Sequence, residues 1–181
     1  EEEFNYFLVV IFPDQDQHIM DYNRVVQDLN GLSREEFMYR LAESFHIEKH
    51  TGTEPYKPGR KHQFGMYLMA EWYVLEAREG SFEAADPVAR LDVSILQERV
   101  LDPILGIADP RTDNRIDFIG GIRGLQELEN RVNEGMAVAF SMYPTTIQDL
   151  MDIADADLIM PPKSTWFEPK LRSGLFIHKL S

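Results

Sequence analysis

The sequence predicts an α+β fold, in which a mixed, mainly antiparallel sheet is combined with three to four helices. Three observations support this fold class. Short β-branched and aromatic runs recur between turn residues, amphipathic segments with capping signals are interspersed among them, and 44% of the 181 residues are hydrophobic. That hydrophobic content is enough for a real core, and the length fits one ordinary domain.

The predicted strands begin with a continuous apolar run. Phe4–Phe12 is rich in β-branched and aromatic residues, so we expect a buried strand, and Gln17–Met20 is expected to pair back against it. Gln63–Ala70 and Glu71–Ala77 are predicted to be neighbouring strands of a meander. Further strands are predicted at residues 45–50, 115–119, 136–142 and 174–180.

Four helices are predicted from capping signals and hydrophobic periodicity. Ser33 and Glu36 have the spacing of a capping box and open an amphipathic helix that ends near residue 44. Asp92 is expected to cap a helix that ends near residue 101. A third helix follows the glycines of residues 120–124 and ends near residue 133, and a fourth runs from residue 144 to about residue 154.

Charge and composition exclude several classes of protein. The formal net charge of −13 disfavours a broad nucleic-acid or anionic-membrane surface, because both need clustered lysine and arginine. The chain contains no cysteine, which rules out disulfides, thiol catalysis and cysteine-ligated metals. The longest apolar run, Tyr6–Phe12, is far short of the roughly 20 residues that span a bilayer. We therefore expect a cytoplasmic protein with no membrane partner.

The beginning of the chain predicts that it is a fragment. A strong strand pattern starts at Phe4 with no initiator methionine before it. Glutamates occupy residues 1–3, where a signal peptide would carry basic residues. We therefore expect residues 1–181 to be a single C-terminal domain of a longer protein.

The most distinctive segment is residues 160–175, MPPKSTWFEPKLRSGL, which we call the proline–lysine loop. Three basic residues and one acid give it a local charge of +2, directly after a run with four aspartates between residues 149 and 157. A lysine beside two hydroxyls can hold a phosphate or carboxylate, and prolines lower the entropy cost of ordering the loop. The alternative is a solvated basic loop packed by aromatic residues. The predicted anion-site residues are Lys163, Ser164, Thr165, Lys170 and Arg172.

Three further groups are candidates for the same site. Backbone amides at the glycines of residues 120–124, together with Arg123, favour an anion, although a tight turn with positive φ is the simpler interpretation. Asp155 is a candidate Mg²⁺ ligand beside a phosphate, and the alternative is that it only ends a helix. Arg24 follows a predicted strand and carries little signal by itself.

One pattern could be mistaken for a metal site. His46, Glu48 and His50 alternate along a predicted strand and therefore share one face, as metal ligands can. A polar strand edge that faces solvent explains the same alternation. We predict no metal site among these side chains.

Several motifs resemble one protein family. MPPKSTWFEPKLRSGLF, with MDIADADLIM before it, is similar to the C-terminal signature of the domain-of-unknown-function 1015 family of bacteria and archaea. DYNRVVQDLNGLS, RLDVSILQERVLDPILGI and RIDFIGGIRG also resemble that family. The resemblance covers essentially the whole chain.

The resemblance implies a ParB-like protein in which this chain supplies only part of a site. Members of the family carry a Gly-His-His-Arg type motif in their N-terminal half, similar to a superfamily that includes partition proteins, sulfiredoxins and free-serine kinases. No His-His-Arg triplet occurs in residues 1–181. The resemblance therefore implies a site completed by the protein's own N-terminal domain, and a link to serine metabolism.

The resulting functional prediction is an anion-holding loop in an enzyme for phosphoryl chemistry on a small anionic metabolite such as serine or phosphoserine. Lys163 would neutralise developing phosphate charge, and Asp155 would help to place Mg²⁺ with a nucleotide in the full-length protein. The competing prediction is a non-catalytic domain that forms a homodimer or binds a partner protein, with Trp166, Phe167 and Leu171 as anchors. We expect residues 1–181 alone to have no appreciable turnover.

Overall fold

The structure, a computed structural model, describes residues 5–7, 9–11, 13, 16–170, 174 and 177–179. A π-helical turn, Gln97–Leu101, continues the second helix, and a 3₁₀ turn, Gly121–Arg123, follows the sixth strand. The helices and strands in chain order are β1 (His18–Met20), β2 (Tyr22–Val26), α1 (Arg34–Ser44), β3 (Phe45–Lys49), β4 (Gln63–Leu68), β5 (Glu71–Ala77), α2 (Asp92–Leu96), β6 (Ile116–Gly120), α3 (Gln126–Asn133), β7 (Val138–Ser141), α4 (Ile147–Asp155) and β8 (Trp166–Glu168).

The strands form two antiparallel sheets, which confirms the predicted α+β class. The larger sheet has six strands in the order β3-β5-β4-β7-β2-β6, and every neighbouring pair is antiparallel. The smaller sheet pairs β1 with β8, so Met20 lies opposite Trp166. This second pairing brings residues near the start of the chain together with the proline–lysine loop.

Both faces of the larger sheet are covered by helices. Val26 belongs to the larger apolar cluster, which packs the sheet against α1, α2 and α4, whereas its neighbour Val25 belongs to a smaller cluster beneath α3. Successive residues of a strand point to opposite faces, so β2 contributes to both clusters. Arg24 is two residues before Val26 and therefore lies on the face of the larger cluster.

Two helices begin with the capping boxes that their sequences indicate. Ser33 Oγ accepts a hydrogen bond from the Glu36 backbone N–H while the Glu36 carboxylate accepts one from the Ser33 N–H. Thr146 and Asp149 make the same reciprocal pair at the start of α4. Each cap satisfies amides that have no partner inside the helix.

The predicted strand over Phe4–Phe12 is wrong for the residues that the structure describes. Residues 5–7 and 9–11 form no strand there, and the side chains of Phe7 and Ile11 are 83% and 91% exposed. A strand needs a pairing edge, and β1 pairs with β8 instead of with this run. An apolar run is also compatible with exposure, so its composition alone does not decide burial.

Two other predictions at the element level need correction. Residues 174 and 177–179 are described and form no strand, and the rest of the predicted strand 174–180 lies outside the described residues. Asp92 does not cap α2, because it is already the first helical residue and its carboxylate accepts a hydrogen bond from the His62 N–H at 2.8 Å. The helix there also ends sooner than predicted and continues as the π-helical turn.

None of the helices in the described ranges combines the length and the apolar character needed to cross a lipid bilayer.

Candidate functional site

The centre of the candidate site is Arg24 on β2. Its side chain is buried, with the residue only 3% exposed. The guanidinium donates to the backbone carbonyl of Tyr22 and, at 2.9 Å, to that of Lys163. Among the described residues, no carboxylate lies within ion-pair distance of Arg24. Burial lowers its pKa to about 10, so the group keeps its positive charge at neutral pH.

The smaller sheet brings Lys163 to Arg24 across 139 residues of sequence. Opposite Met20 in that sheet, Trp166 packs edge-on against Tyr22 with 5.3 Å between ring centroids. The Trp166 ring also covers Gly120, where an added Cβ would come within 2.7 Å of it. Gly120 is therefore required because the indole lies directly on the backbone of β6.

Arg24 and Lys163 form a cation pair around two shared aromatic rings. The Arg24 guanidinium carbon lies 5.5 Å from the ring centroid of Phe118, and the Lys163 ammonium lies 5.7 Å from the same centroid. Both groups lie 6.0 Å from the ring of Tyr22. The rings' negative faces stabilise both cations without neutralising them.

A cavity of about 480 Å³ adjoins this cation pair. Arg24 and Phe118 contribute to its wall, and Pro161 and Pro162 of the proline–lysine loop close one side. A second, more open groove of about 530 Å³ is lined by Lys163 and Phe118. Arg111 lines both spaces and is paired with Asp109 at 2.8 Å. Arg24 thus borders a half-open cavity, and Lys163 borders the neighbouring surface groove.

The hydroxyl groups of the loop have a different role from the cations. Ser164 is buried, and its hydroxyl donates to the Pro161 carbonyl, while its own carbonyl accepts from the Thr145 hydroxyl at 2.9 Å. Thr165 is half-buried immediately before β8. The Ser164 hydroxyl is therefore committed to the backbone of its own loop, and Lys163 is the exposed member of the predicted trio.

The structure does not bring the remaining predicted site residues to the cation pair. Lys170 is exposed, with its ammonium 4.5 Å from the ring centroid of Trp166. Arg123 is exposed and lies 3.8 Å from the Glu127 carboxylate. Asp155 is exposed at the end of α4 and lines neither space. Arg172 lies outside the described residues.

The glycine-rich turn after β6 is explained by packing and backbone geometry. Gly124 has φ of +73°, which confirms the prediction that this turn contains a positive φ. An added Cβ at Gly121 would lie 2.3 Å from Oδ1 of the buried Asp21. The Gly121 N–H donates to the Asp21 carbonyl at 2.8 Å, so this amide is already used within the chain.

No group of three or more potential metal-ligating side chains occurs within the part of the chain that the structure describes. His46 is exposed on β3, with its ring nitrogen 3.3 Å from Arg78 Nη1. His50 instead contacts the Glu54 carbonyl at 3.2 Å.

A second buried ionisable side chain is Asp92, the first residue of α2. Its Oδ1 accepts from the His62 N–H, and its Oδ2 has no hydrogen-bond partner among the described residues. Burial raises the pKa of Asp92 to about 7, and the nearby Asp149 carboxylate adds to the rise. Asp149 is also buried, but its hydrogen bonds from Lys61 and Thr146 outweigh that effect and lower its pKa.

Sequence reasoning did not identify several residues that build the cavity. Ser94 and Gln97 line it from α2 and the π-helical turn, and Phe118 lines it from β6. Their sequence signals are those of an ordinary helix and strand. They become neighbours because α2 and the π-helical turn face β2, β6 and the proline–lysine loop across the cavity.

Comparison with solved structures shows a shared fold at low sequence identity. A free serine kinase in complex with AMP has a TM-score of 0.53 at 10% identity, covering 88% of this chain and 57% of that chain. A mutant free serine kinase in complex with ADP gives 0.51 at 13% identity with the same coverage. A conserved hypothetical protein from Pyrococcus furiosus gives 0.52 at 11% identity, covering 88% and 60%. This chain therefore spans less than two thirds of the length of these proteins.

The fold and the cation pair together define an α+β protein with a candidate anion-binding cavity. The chain belongs to the family described as protein of unknown function, DUF1015, which matches residues 1–94. This match confirms the predicted family, and of the motifs that indicated it only DYNRVVQDLNGLS lies wholly within residues 1–94. No curated protein matches the sequence.

Proposed function

We propose that this chain forms part of an enzyme for phosphoryl chemistry on a small anionic metabolite, and that Arg24 and Lys163 hold the phosphate or carboxylate. One observation carries the proposal. Arg24 is a buried, charged guanidinium that borders a cavity and has no carboxylate partner among the described residues. A buried cation of this kind is costly unless an anion pairs with it.

The two cations differ in what they offer an anion. The guanidinium of Arg24 is a planar fork suited to two parallel hydrogen bonds with a carboxylate or phosphate. Lys163 adds a compact positive charge near the same rings. In phosphoryl transfer, positioning and neutralisation of developing charge supply most of the catalysis, and these two groups suit both tasks.

The fold comparison supports the choice of phosphoryl chemistry. The named neighbours are free serine kinases in complex with AMP or ADP, so serine or phosphoserine is the proposed metabolite, and a nucleotide with Mg²⁺ is the proposed phosphoryl source. This chain spans 57% of those structures. We therefore assign the rest of the site to an N-terminal domain of a longer, ParB-like cytoplasmic protein, and expect residues 1–181 to bind without turnover.

The competing function is a non-catalytic domain for dimerisation or partner binding. It is favoured by Ile159, which is 87% exposed directly before the proline–lysine loop. Trp166 by contrast packs on Gly120 and Tyr22 of its own chain. If this alternative holds, the molar mass in solution should correspond to a dimer, and Ile159→Ser should convert it to a monomer in light-scattering measurements.

The anion-site proposal is tested by titrating residues 1–181 with inorganic phosphate and with phosphoserine in a calorimeter. Arg24→Gln is expected to weaken binding by roughly 10- to 100-fold, because a charge-assisted hydrogen bond contributes about 1.5–3 kcal/mol. Lys163→Gln should weaken binding less. Arg60→Gln is the matched control, since Arg60 pairs with Glu76 and lines neither the cavity nor the groove. Binding that is unchanged in Arg24→Gln would refute the assignment.

A further inference from the structure

We infer that the 480 Å³ cavity selects an organic anion with an apolar body and an N–H or O–H donor, in preference to a bare inorganic anion. The inference rests on the proposed function, since Arg24 is taken as the anchor for the anionic group. The volume lies in the range of cavities that enclose small organic ligands, about 300–1,000 Å³. A phosphate alone would fill only a small part of it.

The wall of the cavity is mainly apolar. A phosphate bound to Arg24 would leave these side chains in contact with water, whereas an apolar ligand body would remove their surface from water and gain free energy in proportion to the area. The apolar lining residues include Val88, Val93, Leu101, Pro110, Pro161 and Pro162.

Two residues that line the cavity each carry a buried polar atom that lacks a hydrogen-bond partner among the described residues. These atoms are the hydroxyl oxygen of Ser94 and Oε1 of Gln97, and both are buried. The Gln97 amide nitrogen donates to the carbonyls of Ile107 at 2.8 Å and Ala108 at 3.3 Å, which leaves Oε1 as a free acceptor. A buried acceptor without a donor is destabilising, so a ligand that donates a hydrogen bond there gains affinity.

The backbone that carries Gln97 is itself unusual. Residues 97–101 form a π-helical turn in which the Asp102 N–H donates to the Gln97 carbonyl at 3.0 Å, five residues back. Such turns are rare and occur frequently at functional sites, because they re-aim side chains relative to a regular helix. Gln97 and Leu101, the first and last residues of the turn, both line the cavity.

The charged groups at the cavity also favour a ligand with a donor. Arg111 is paired with Asp109, so these two largely cancel each other. Glu98 lines the cavity and is exposed. A protonated amine on the ligand would be attracted to Glu98, while Arg24 holds the anionic end.

Titration with simple phosphonates tests the anion site at Arg24 separately from the preference of the cavity for an apolar ligand body. Phenylphosphonate should bind residues 1–181 about tenfold or more tightly than methylphosphonate, because its ring buries apolar surface. The better of 3- and 4-aminophenylphosphonate should bind roughly fivefold tighter again through a hydrogen bond to Gln97. Gln97→Met should remove only that last gain. Ala108→Trp, at the exposed rim, should remove the advantage of the ring while methylphosphonate still binds.

Each possible result tests a different part of the inference. If methylphosphonate binds and Arg24→Gln abolishes that binding, but phenylphosphonate binds no tighter, the cavity inference is wrong and the anion site stands. If neither phosphonate binds, both the anion site and the cavity inference fail. If the aminophenyl gain persists in Gln97→Met, the proposed acceptor is wrong. Thermal melting of each variant verifies that it is folded.

Discussion

Arg24 and Asp92 both have buried ionisable side chains, but burial leaves them in different charge states near neutral pH. The pKa of Asp92 is raised to about 7, so its carboxylate can bind a proton and become neutral near neutral pH. The pKa of Arg24 falls only to about 10, so it stays charged. A buried carboxyl group can therefore avoid the cost of burial by becoming neutral. A buried guanidinium stays charged, so it needs a bound anion to offset that cost. The difference distinguishes a structural group from a candidate binding group.

The largest expected effect is the contribution of Asp92 to the pH dependence of the free energy of unfolding. Its folded-state pKa of about 7 lies above the unfolded value of 3.8, so the folded state binds the proton more tightly. The free energy of unfolding should fall as the pH rises from about 4 to about 7, by up to about 4 kcal/mol. Asp92→Asn should lack this fall and be more stable than the wild type at pH 8.

Urea denaturation of both proteins between pH 4 and pH 8 measures this effect. The difference between the two curves isolates Asp92 from its neighbours His62 and Asp149, whose own titrations are present in both proteins. Parallel curves would mean that Asp92 stays ionised in the folded state throughout this range.

Asp149 should have a smaller effect on the free energy of unfolding than Asp92, and its dependence on pH should be the opposite. Its folded-state pKa lies below the ordinary value, because the hydrogen bonds from Lys61 and Thr146 outweigh its burial. Asp149→Asn should reduce stability at pH 7 by about 2 kcal/mol through loss of the ion pair and the helix cap. The wild type should lose this contribution below about pH 4 as the carboxylate takes up a proton. A variant with unchanged stability at pH 7 would show that the network is too exposed to matter.

The smallest expected effect is on stability at Arg24. Arg24→Met loses hydrogen bonds to two carbonyls but also removes a desolvated charge, so the free energy of unfolding should change by no more than about 1 kcal/mol. Urea denaturation at pH 7 measures the change, with Arg60→Met as the surface control. A loss of several kcal/mol would make Arg24 a structural residue and remove the contrast with Asp92.

The local part of the fold was predictable from the sequence. The capping box at Ser33 fixes the start of α1, because a hydroxyl three residues before a carboxylate satisfies local amides wherever the chain folds. The fourth helix was predicted from residue 144, and it begins at Ile147 after the Thr146 cap. The adjacent strands 63–68 and 71–77 follow from short-range pairing as well. By contrast, composition could not decide whether the run at residues 4–12 finds a pairing edge.

The site was only partly predictable. The charge reversal at Lys163 marked the proline–lysine loop, but the residue that distinguishes the site is Arg24, which carried little signal by itself. Their contact spans 139 residues and depends on the pairing of β1 with β8. The role of Gln97 depends on a π-helical turn that no capping or periodicity signal in residues 92–101 indicates.

Lys163 occupies a backbone conformation that lysine seldom adopts. Its φ is +57°, in the left-handed region, where a residue with a side chain costs about 1 kcal/mol or more relative to glycine. A glycine or asparagine at this position would relax the loop at once, and an alanine would not. The folded chain thus holds a strained residue where its ammonium lies near the rings of Tyr22 and Phe118. Lys163→Ala would remove the charge and keep the backbone strain, so its effect on binding would measure the charge alone. Lys163→Gly would remove the charge and relieve the strain, so its effect would combine both changes.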